Sequence, residues 1–478
     1  MNDELRVKNN ELGGKMNYRY RTDEEMKDSG IEWLGKMPKS WNIRQLKRVL
    51  IDRKENNSPV KTDNILSLTM EKGVIPYSQK GSGGNKAKED LSLYKLVYPD
   101  DIVLNSMNVV VGSVGLSKYF GCASPAYYML YKKNVSDSIE YYNNIFQSKL
   151  FQESLVGLGN GILVKKSEIS GKLNTIRMRI PMEKLNVVKI PIPKSSEQKK
   201  IAKFLDEKTV QFDSIISKKE ALIEKLEEAK KSLISEVVTG KVKVVKSCDG
   251  YELVERKKEE MKDSGVEWLG DIPKEWSIKK LKHISILNPS KSEVRKYLEE
   301  DIEVSFIPME SVRLGYINVE QSKKISEIID GYTYFKNDDI VMAKVTPCFE
   351  NRNIAISENL VNGIGFGSTE LNVIRCIKKE DIEYLYYSLQ EEKFINVATS
   401  EMTGAGGLKR VPSNFLINAQ FAYPNTTNEK EKIIKYLNEK EIEIKYIIDK
   451  TKQQIEKLKE AKQSLISEAV TGKIEILD

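Results

Sequence analysis

EQKKIAKFLDEKTVQFDSIISKKEALIEKLEEAKKSLISEVVTG (197–240) decides the fold, because the chain contains it twice. The second copy occupies 429–472, displaced by 232 residues, and the tails EAKKSLISEVVTGKV (228–242) and EAKQSLISEAVTGKI (460–474) agree at 12 of 15 positions. A repeat of this kind sets the architecture before any local pattern is weighed. Neither copy carries Pro or Gly before its end, and Ala, Leu, Glu and Lys dominate, so the stretch predicts a long helix. Apolar residues at heptad spacing mark a seam: Leu205, Phe212, Leu222, Leu226 and Leu233 in the first copy, Leu437, Ile444, Ile447, Leu458 and Leu465 in the second. Ser195 with Gln198, and Thr426 with Glu429, have capping-box spacing, while Gly240 and Gly472 suit helix C-termini. Each helix would be roughly 65 Å long. A single apolar stripe must be buried, and the nearest matching stripe is its twin. Two similar halves on one chain predict an antiparallel, intramolecular pair.

The 40% hydrophobic and 31% charged composition predicts a water-soluble protein, and 478 residues predict several domains. No apolar run approaches a membrane span and no signal peptide is expected, so the predicted compartment is the cytoplasm. Cys122, Cys248, Cys348 and Cys376 are scattered and form no CxxC pair, which argues against a zinc site or a disulfide framework. The net charge of +7 is compatible with a polyanionic partner without being diagnostic of one.

A second repeat precedes each globular region. MKDSGIEWLGKMPKSWNIRQLKR (26–48) returns as MKDSGVEWLGDIPKEWSIKKLKH (261–283), identical at 15 of 23 positions. It holds all four tryptophans, Trp33, Trp41, Trp268 and Trp276, which are expected to anchor this opening motif onto a core. Residues 49–195 and 284–427 consist of short apolar runs broken by Gly, Asn, Pro and Ser, so each predicts a mixed, β-rich module. Asp101-Ile102-Val103 and Asp339-Ile340-Val341 match, and beyond that the modules differ. The expected fold class is α+β, a pseudo-two-fold repeat of two β-rich modules joined by two long antiparallel helices. The expected boundaries are an N-terminal tail over 1–25, the first module with its opening motif over 26–195, the first helix over 196–243, a linker over 244–260, the second module over 261–427 and the second helix over 428–478.

The sequence carries no familiar catalytic signature. There is no NPPY-type tetrapeptide for holding a flipped adenine, and no Gly-rich loop lies between a strand and a helix or carries GK[S/T]. His283 is the single histidine and aligns with Arg48 of the first repeat, which leaves no ordinary route to His-activated nucleophiles. No catalytic residue and no metal ligand is predicted. The Gly-rich spots at 81–84, 157–161 and 404–407 are flanked by Lys80 and Lys86, by Lys165 and Lys166, and by Lys409 and Arg410. Basic loops poor in side chains can approach a phosphate backbone closely. Asn105, Arg177, Arg313, Lys344 and Arg352 complete the candidate DNA-contacting set, as side chains able to read base edges or phosphates. An ordinary surface hairpin explains any one such loop equally well.

KDSGIEWLGKMPKSW, KDSGVEWLGDIPKEW, IPIPKSSEQKKIAKFLDEKT and the twice-present AKxSLISExVTGK together resemble the specificity subunits of type I restriction–modification systems, from Met26 onward. The second helix start departs from the family's Pro-rich form, reading Tyr423-Pro424 and then NEKEKIIKYLNEKE. The resemblance implies two target recognition domains, each reading half of a split site in the major groove of double-stranded DNA, and a helical spacer. It implies docking of two modification subunits that bind S-adenosylmethionine and methylate adenine. Restriction subunits using ATP and Mg would join for cleavage, and the chain itself would hold no cofactor and perform no catalysis. The alternative is a coiled-coil protein-interaction scaffold without DNA readout.

Overall fold

The computed structural model describes residues 17–70, 72–80, 87–159, 179–248, 250–404 and 407–477. They fall into two compact units, one made of 1–219 with 453–478 and the other of 220–452. Each unit joins one globular module to a segment of both long helices, Ser195–Val238 and Thr427–Val470.

The helices run antiparallel in both units. In the first unit Lys462 donates to Asp213 at 2.6 Å and Lys219 to Gln454 at 2.7 Å. In the second, Lys230 pairs with Glu441, and Ile234, Val237 and Val238 share a core with Ile433, Tyr436 and Leu437. Leu205, Phe212, Leu437 and Leu465 are buried, and Leu226, Leu233, Ile444 and Leu458 are half-buried. Leu222 and Ile447 correct the seam read from the sequence: they are 43% and 37% exposed, while Ile216, Ile448 and Ile455, which the heptad spacing also places on the seam, are buried together with Thr451. The seam steps by four residues and then three, from Ile444 to Ile448, Thr451 and Ile455, so Ile448 faces inward and Ile447 beside it faces out.

The helix ends explain why both repeats retain their wording. Gly472 has φ 73°, and a Cβ there would sit 2.5 Å from Pro38 and 2.9 Å from Trp41. Gly240 has φ 73° and would meet Pro273 at 2.6 Å and Trp276 at 3.0 Å. In each unit the end of one helix is thus pressed onto an opening motif, and only glycine fits both the left-handed turn and the contact. The start of the other helix is held at or just before the motif: Glu197 accepts from Trp41 Nε1 at 3.0 Å and from Arg21 at 2.7 Å, and Glu429 accepts from Arg256, which precedes the second motif, at 2.6 Å. Trp41 and Trp276 are 1% exposed, in cores that run from the modules into the helix segments.

Three details differ from the sequence reading. Part of the expected tail is ordered, because Tyr18–Tyr20 pairs antiparallel with Ile474–Ile476 and Arg21 is fixed by Glu197 and by the carbonyls of Gly472 and Ile474. The expected linker contains most of a hairpin, Val242–Ser247 against Gly250–Glu255, whose strands read VKVVKS and GYELVE. Gln198 makes no capping box: its side chain accepts from Ser138 N at 3.0 Å and donates to the Pro193 carbonyl at 3.1 Å, tying helix to module.

Candidate nucleic-acid interface

Both modules are built on one four-stranded antiparallel sheet. Its order in the first unit is Val114–Leu116, Ile102–Asn105, Tyr127–Lys132, Leu50–Asp52, and in the second Ile354–Ile356, Ile340–Ala343, Leu371–Cys376, Ser285–Leu287. The matching Asp-Ile-Val segments open the second strand of each order, and both aspartates are 1% exposed. A buried carboxylate needs a cation. Asp101 takes Arg53 through two bonds of 2.9 and 3.0 Å, while Asp339 takes Arg375 through two of 2.7 Å. Arg53 directly follows the fourth strand of the order and Arg375 lies in the third, so the same requirement is met from a different place in each module. Burial pushes the Asp101 carboxyl up, and the Arg53 bond opposes this.

Outside the common sheet the modules diverge. The first adds two two-stranded pairs, Leu66–Thr69 with Gly73–Pro76 and Lys95–Val97 with Gly121–Ala123. The second adds a four-stranded sheet of Gln321–Lys324, Glu303–Ile307, Ile364–Gly367 and Thr333–Lys336, and a short hairpin, Val312–Arg313 with Tyr316–Ile317.

The candidate DNA contacts separate into three groups. Arg313 and Lys409 are exposed, and Lys80 and Lys344 are half-buried, Lys80 lying over the Tyr77 ring at 5.3 Å. Asn105, Arg352 and Arg410 are corrected to structural roles. Asn105 is buried and accepts from Met107 N at 3.0 Å, closing a turn. Arg352 has φ 54° and donates to the Gln390 carbonyl at 3.1 Å. Arg410 grips Glu370 through bonds of 2.8 and 2.6 Å, which holds that carboxyl below its usual range. Freeing any of them for a base edge would sacrifice bonds already formed. Lys86, Lys165, Lys166 and Arg177 lie outside the described residues. The segments flanking the third Gly-rich spot close on each other, Thr403 and Arg410 exchanging backbone bonds of 3.1 and 2.8 Å.

The first module also holds an open cavity of about 730 Å³ lined by Lys47, Asp52, Lys54, Tyr128, Arg179 and Glu183, among others. Burial pushes the Asp52 carboxyl up and the Lys95 ammonium down. Charges of both signs line it, which suits neither a pure anion site nor a cation site. Among the described residues no cluster of His, Cys, Asp or Glu could hold a metal ion, and no helix is long and apolar enough to cross a membrane.

Exposed residues that the sequence did not mark sit on the two short hairpins: Met70 and Lys72 in the first module, Leu314 and Tyr316 in the second. The available signal was a glycine before an apolar strand, in MEKGVI and VRLGYI.

A frame of paired helices bearing two sheet-based modules is the fold of a chain in a solved type I R-M system assembly, with TM-score 0.62, covering 91% of this chain and 99% of that one at 10% identity. At that identity the likeness is one of fold. In sequence, the type I restriction enzyme EcoEI specificity subunit of Escherichia coli is 36% identical over 162 residues, 33% of this chain and 27% of that protein. The EcoAI specificity subunit of the same organism is 37% identical over 171 residues, 35% of this chain and 28% of that protein. These two matches thus span little more than a quarter of the relatives' own length. The putative type I restriction enzyme MjaX specificity subunit of Methanocaldococcus jannaschii is 24% identical over 463 residues, 93% of this chain and 96% of that one. No family model matches the chain. The resemblance to type I specificity subunits carried by the repeated motifs is borne out.

Proposed function

We propose that this chain is the sequence-specific DNA-binding subunit of a type I restriction–modification complex and acts in the cytoplasm. Each module reads one half of a bipartite duplex site, and partner subunits perform adenine methylation or cleavage. The observation that carries this reading is the contrast within the repeat. The helices, the opening motifs and the four-stranded sheet recur, whereas the outer strands do not and the short hairpins differ in sequence. A frame kept constant under two diverged surfaces suits a reader of an asymmetric site. The chain itself supplies no chemistry in this reading. Two modification subunits dock on it and bring S-adenosylmethionine; restriction subunits bring ATP and Mg.

The test is to assemble the chain with its modification subunits, map the methylated adenines, and measure duplex affinity against salt. The expected result is one bipartite motif that depends on this chain, with affinity falling steeply as salt rises. An unchanged methylation pattern without the chain would reject the reading. Absence of duplex binding by the assembled complex would favour a protein-interaction scaffold.

A further inference from the structure

The two short hairpins occupy the same place in the two modules. In the first, strands Leu66–Thr69 and Gly73–Pro76 pair in register from Leu66 with Pro76 to Thr69 with Gly73, and pack on the sheet strand Val114–Leu116. The approach is close, since a Cβ on Gly115 would lie 2.9 Å from Gly73 Cα. In the second, Val312–Arg313 pairs with Tyr316–Ile317 and packs on Ile354–Ile356, the corresponding sheet strand. There Gly315 N donates to the Ile354 carbonyl at 2.9 Å. Gly73 and Gly315 both sit at positive φ, 63° and 85°, at the start of the return strand.

What the hairpins present to solvent is unusual for turns. Met70 is 62% exposed beside exposed Lys72, and Leu314 and Tyr316 are 39% and 57% exposed beside exposed Arg313. Turn tips are ordinarily small and polar. Among the described residues Arg313 has no ion pair and no side-chain hydrogen bond, whereas Arg53, Arg375 and Arg410 are all held by carboxylates. A two-stranded ribbon fits the major groove of B-DNA, arginine pairs with guanine O6 and N7, and apolar side chains meet the thymine methyl. The positive charge of Arg313 on the second tip complements the phosphate backbone; on the first, Lys72 offers a cation next to Glu71 in sequence.

We propose that these tips are base-reading elements of the two modules, with Arg313 recognising guanine in one half-site and Met70 with Lys72 serving the other. The proposal rests on the DNA-reading function set out above and assigns that function to named side chains. It also explains why the hairpins share their seat on the sheet but only glycine in sequence: the seat belongs to the frame, the tip to the target.

The test uses the assembled modification complex with Arg313→Ala, Arg313→Lys, Tyr316→Ala and the pair Met70→Ala with Lys72→Ala, read by methylated-site mapping and duplex binding. All four positions are exposed, so melting behaviour should match the parent. Arg313→Ala should relax one base pair of one half-site, with discrimination there falling roughly 5- to 150-fold. Arg313→Lys should keep affinity while relaxing the same base pair, because lysine keeps the charge and loses the fork geometry. The Met70 and Lys72 pair should alter the other half-site alone. Unchanged selectivity in all variants would overturn the proposal, as would a uniform loss of affinity with selectivity intact, which would make the tips phosphate contacts. Failure of the wild-type chain to direct methylation at all would instead reject the underlying function.

Discussion

The hydroxyl of Tyr384 donates to the carbonyl of Val238, the last residue of the first long helix, at 3.0 Å, and to the Ala422 carbonyl at 2.8 Å. Tyr141 does the same in the other unit, donating to Val470 at 3.3 Å and Pro191 at 3.2 Å. Helix C-termini leave carbonyls without partners, and here a fully buried phenol from the module satisfies one. Tyr384→Phe should leave two buried acceptors unpaired and cost about 1–3 kcal/mol. Hydrogen exchange should show lost protection at residues 230–238 and in the strand Gln420–Tyr423. Parental protection there would mean that the phenol is incidental.

Arg375→Ala removes the cation from a carboxylate that is 1% exposed. Breaking one side of a buried pair costs about 3–5 kcal/mol. Adding Asp339→Asn should restore much of the loss, since the uncompensated charge is then gone. A double variant no more stable than Arg375→Ala in denaturant titration would place the damage in lost packing on the Tyr334 ring, which the guanidinium covers at 5.3 Å.

Glu468 accepts from Tyr20 Oη at 2.9 Å. Burial raises its carboxyl above the ordinary carboxylate value, opposed by the Tyr20 bond and by Lys473. The folded chain therefore binds this proton more tightly than the unfolded chain. The resulting loss of stability is fully present above the folded value and absent below the unfolded one. Glu468→Gln keeps an acceptor for Tyr20 and should melt above the parent at about pH 8. The gap should close as pH falls toward about 4; a gap independent of pH would assign the effect to packing.

Gly472→Ala combines a left-handed residue with a Cβ 2.5 Å from Pro38. The conformational penalty alone is about 1–2 kcal/mol, so a larger loss is expected, together with a changed emission from Trp41. A shift confined to stability, with Trp41 emission unaltered, would show that the contact yields without cost.

The architecture was legible because its signals are periodic and duplicated. EAKxSLISExVTGK and the Trp-bearing motif each occur twice, and the second occurrence removes the ambiguity of the first. What escaped depends on geometry that spacing does not encode. Leu222 and Ile447 sit at heptad positions but turn outward, because the residues one further on, Ile223 and Ile448, take the inward place. Arg410 beside a Gly-rich loop looked available until Glu370, far off in sequence, was seen to hold it. Arg53 and Arg375 serve equivalent aspartates from different places in the two modules, so no alignment of the halves pairs them. Of the candidate contacts, Arg313 is exposed on a hairpin tip beside Leu314 and Tyr316, two residues that no spacing or repeat in the sequence marks.

The pairing of Tyr18–Tyr20 with Ile474–Ile476 has a consequence for the order in which the molecule can be made. Residues 220–452 form one unit from a single continuous stretch, while the other breaks off at 219 and resumes only at 453. During synthesis the continuous unit has all its parts once residue 452 has emerged. The split unit has Trp41 and Tyr141 in place but lacks Ala469, Val470 and Gly472 to cover them. The module translated first is thus the one completed last, and its core stays open to solvent, and to chaperones, until the final turns of the second helix arrive.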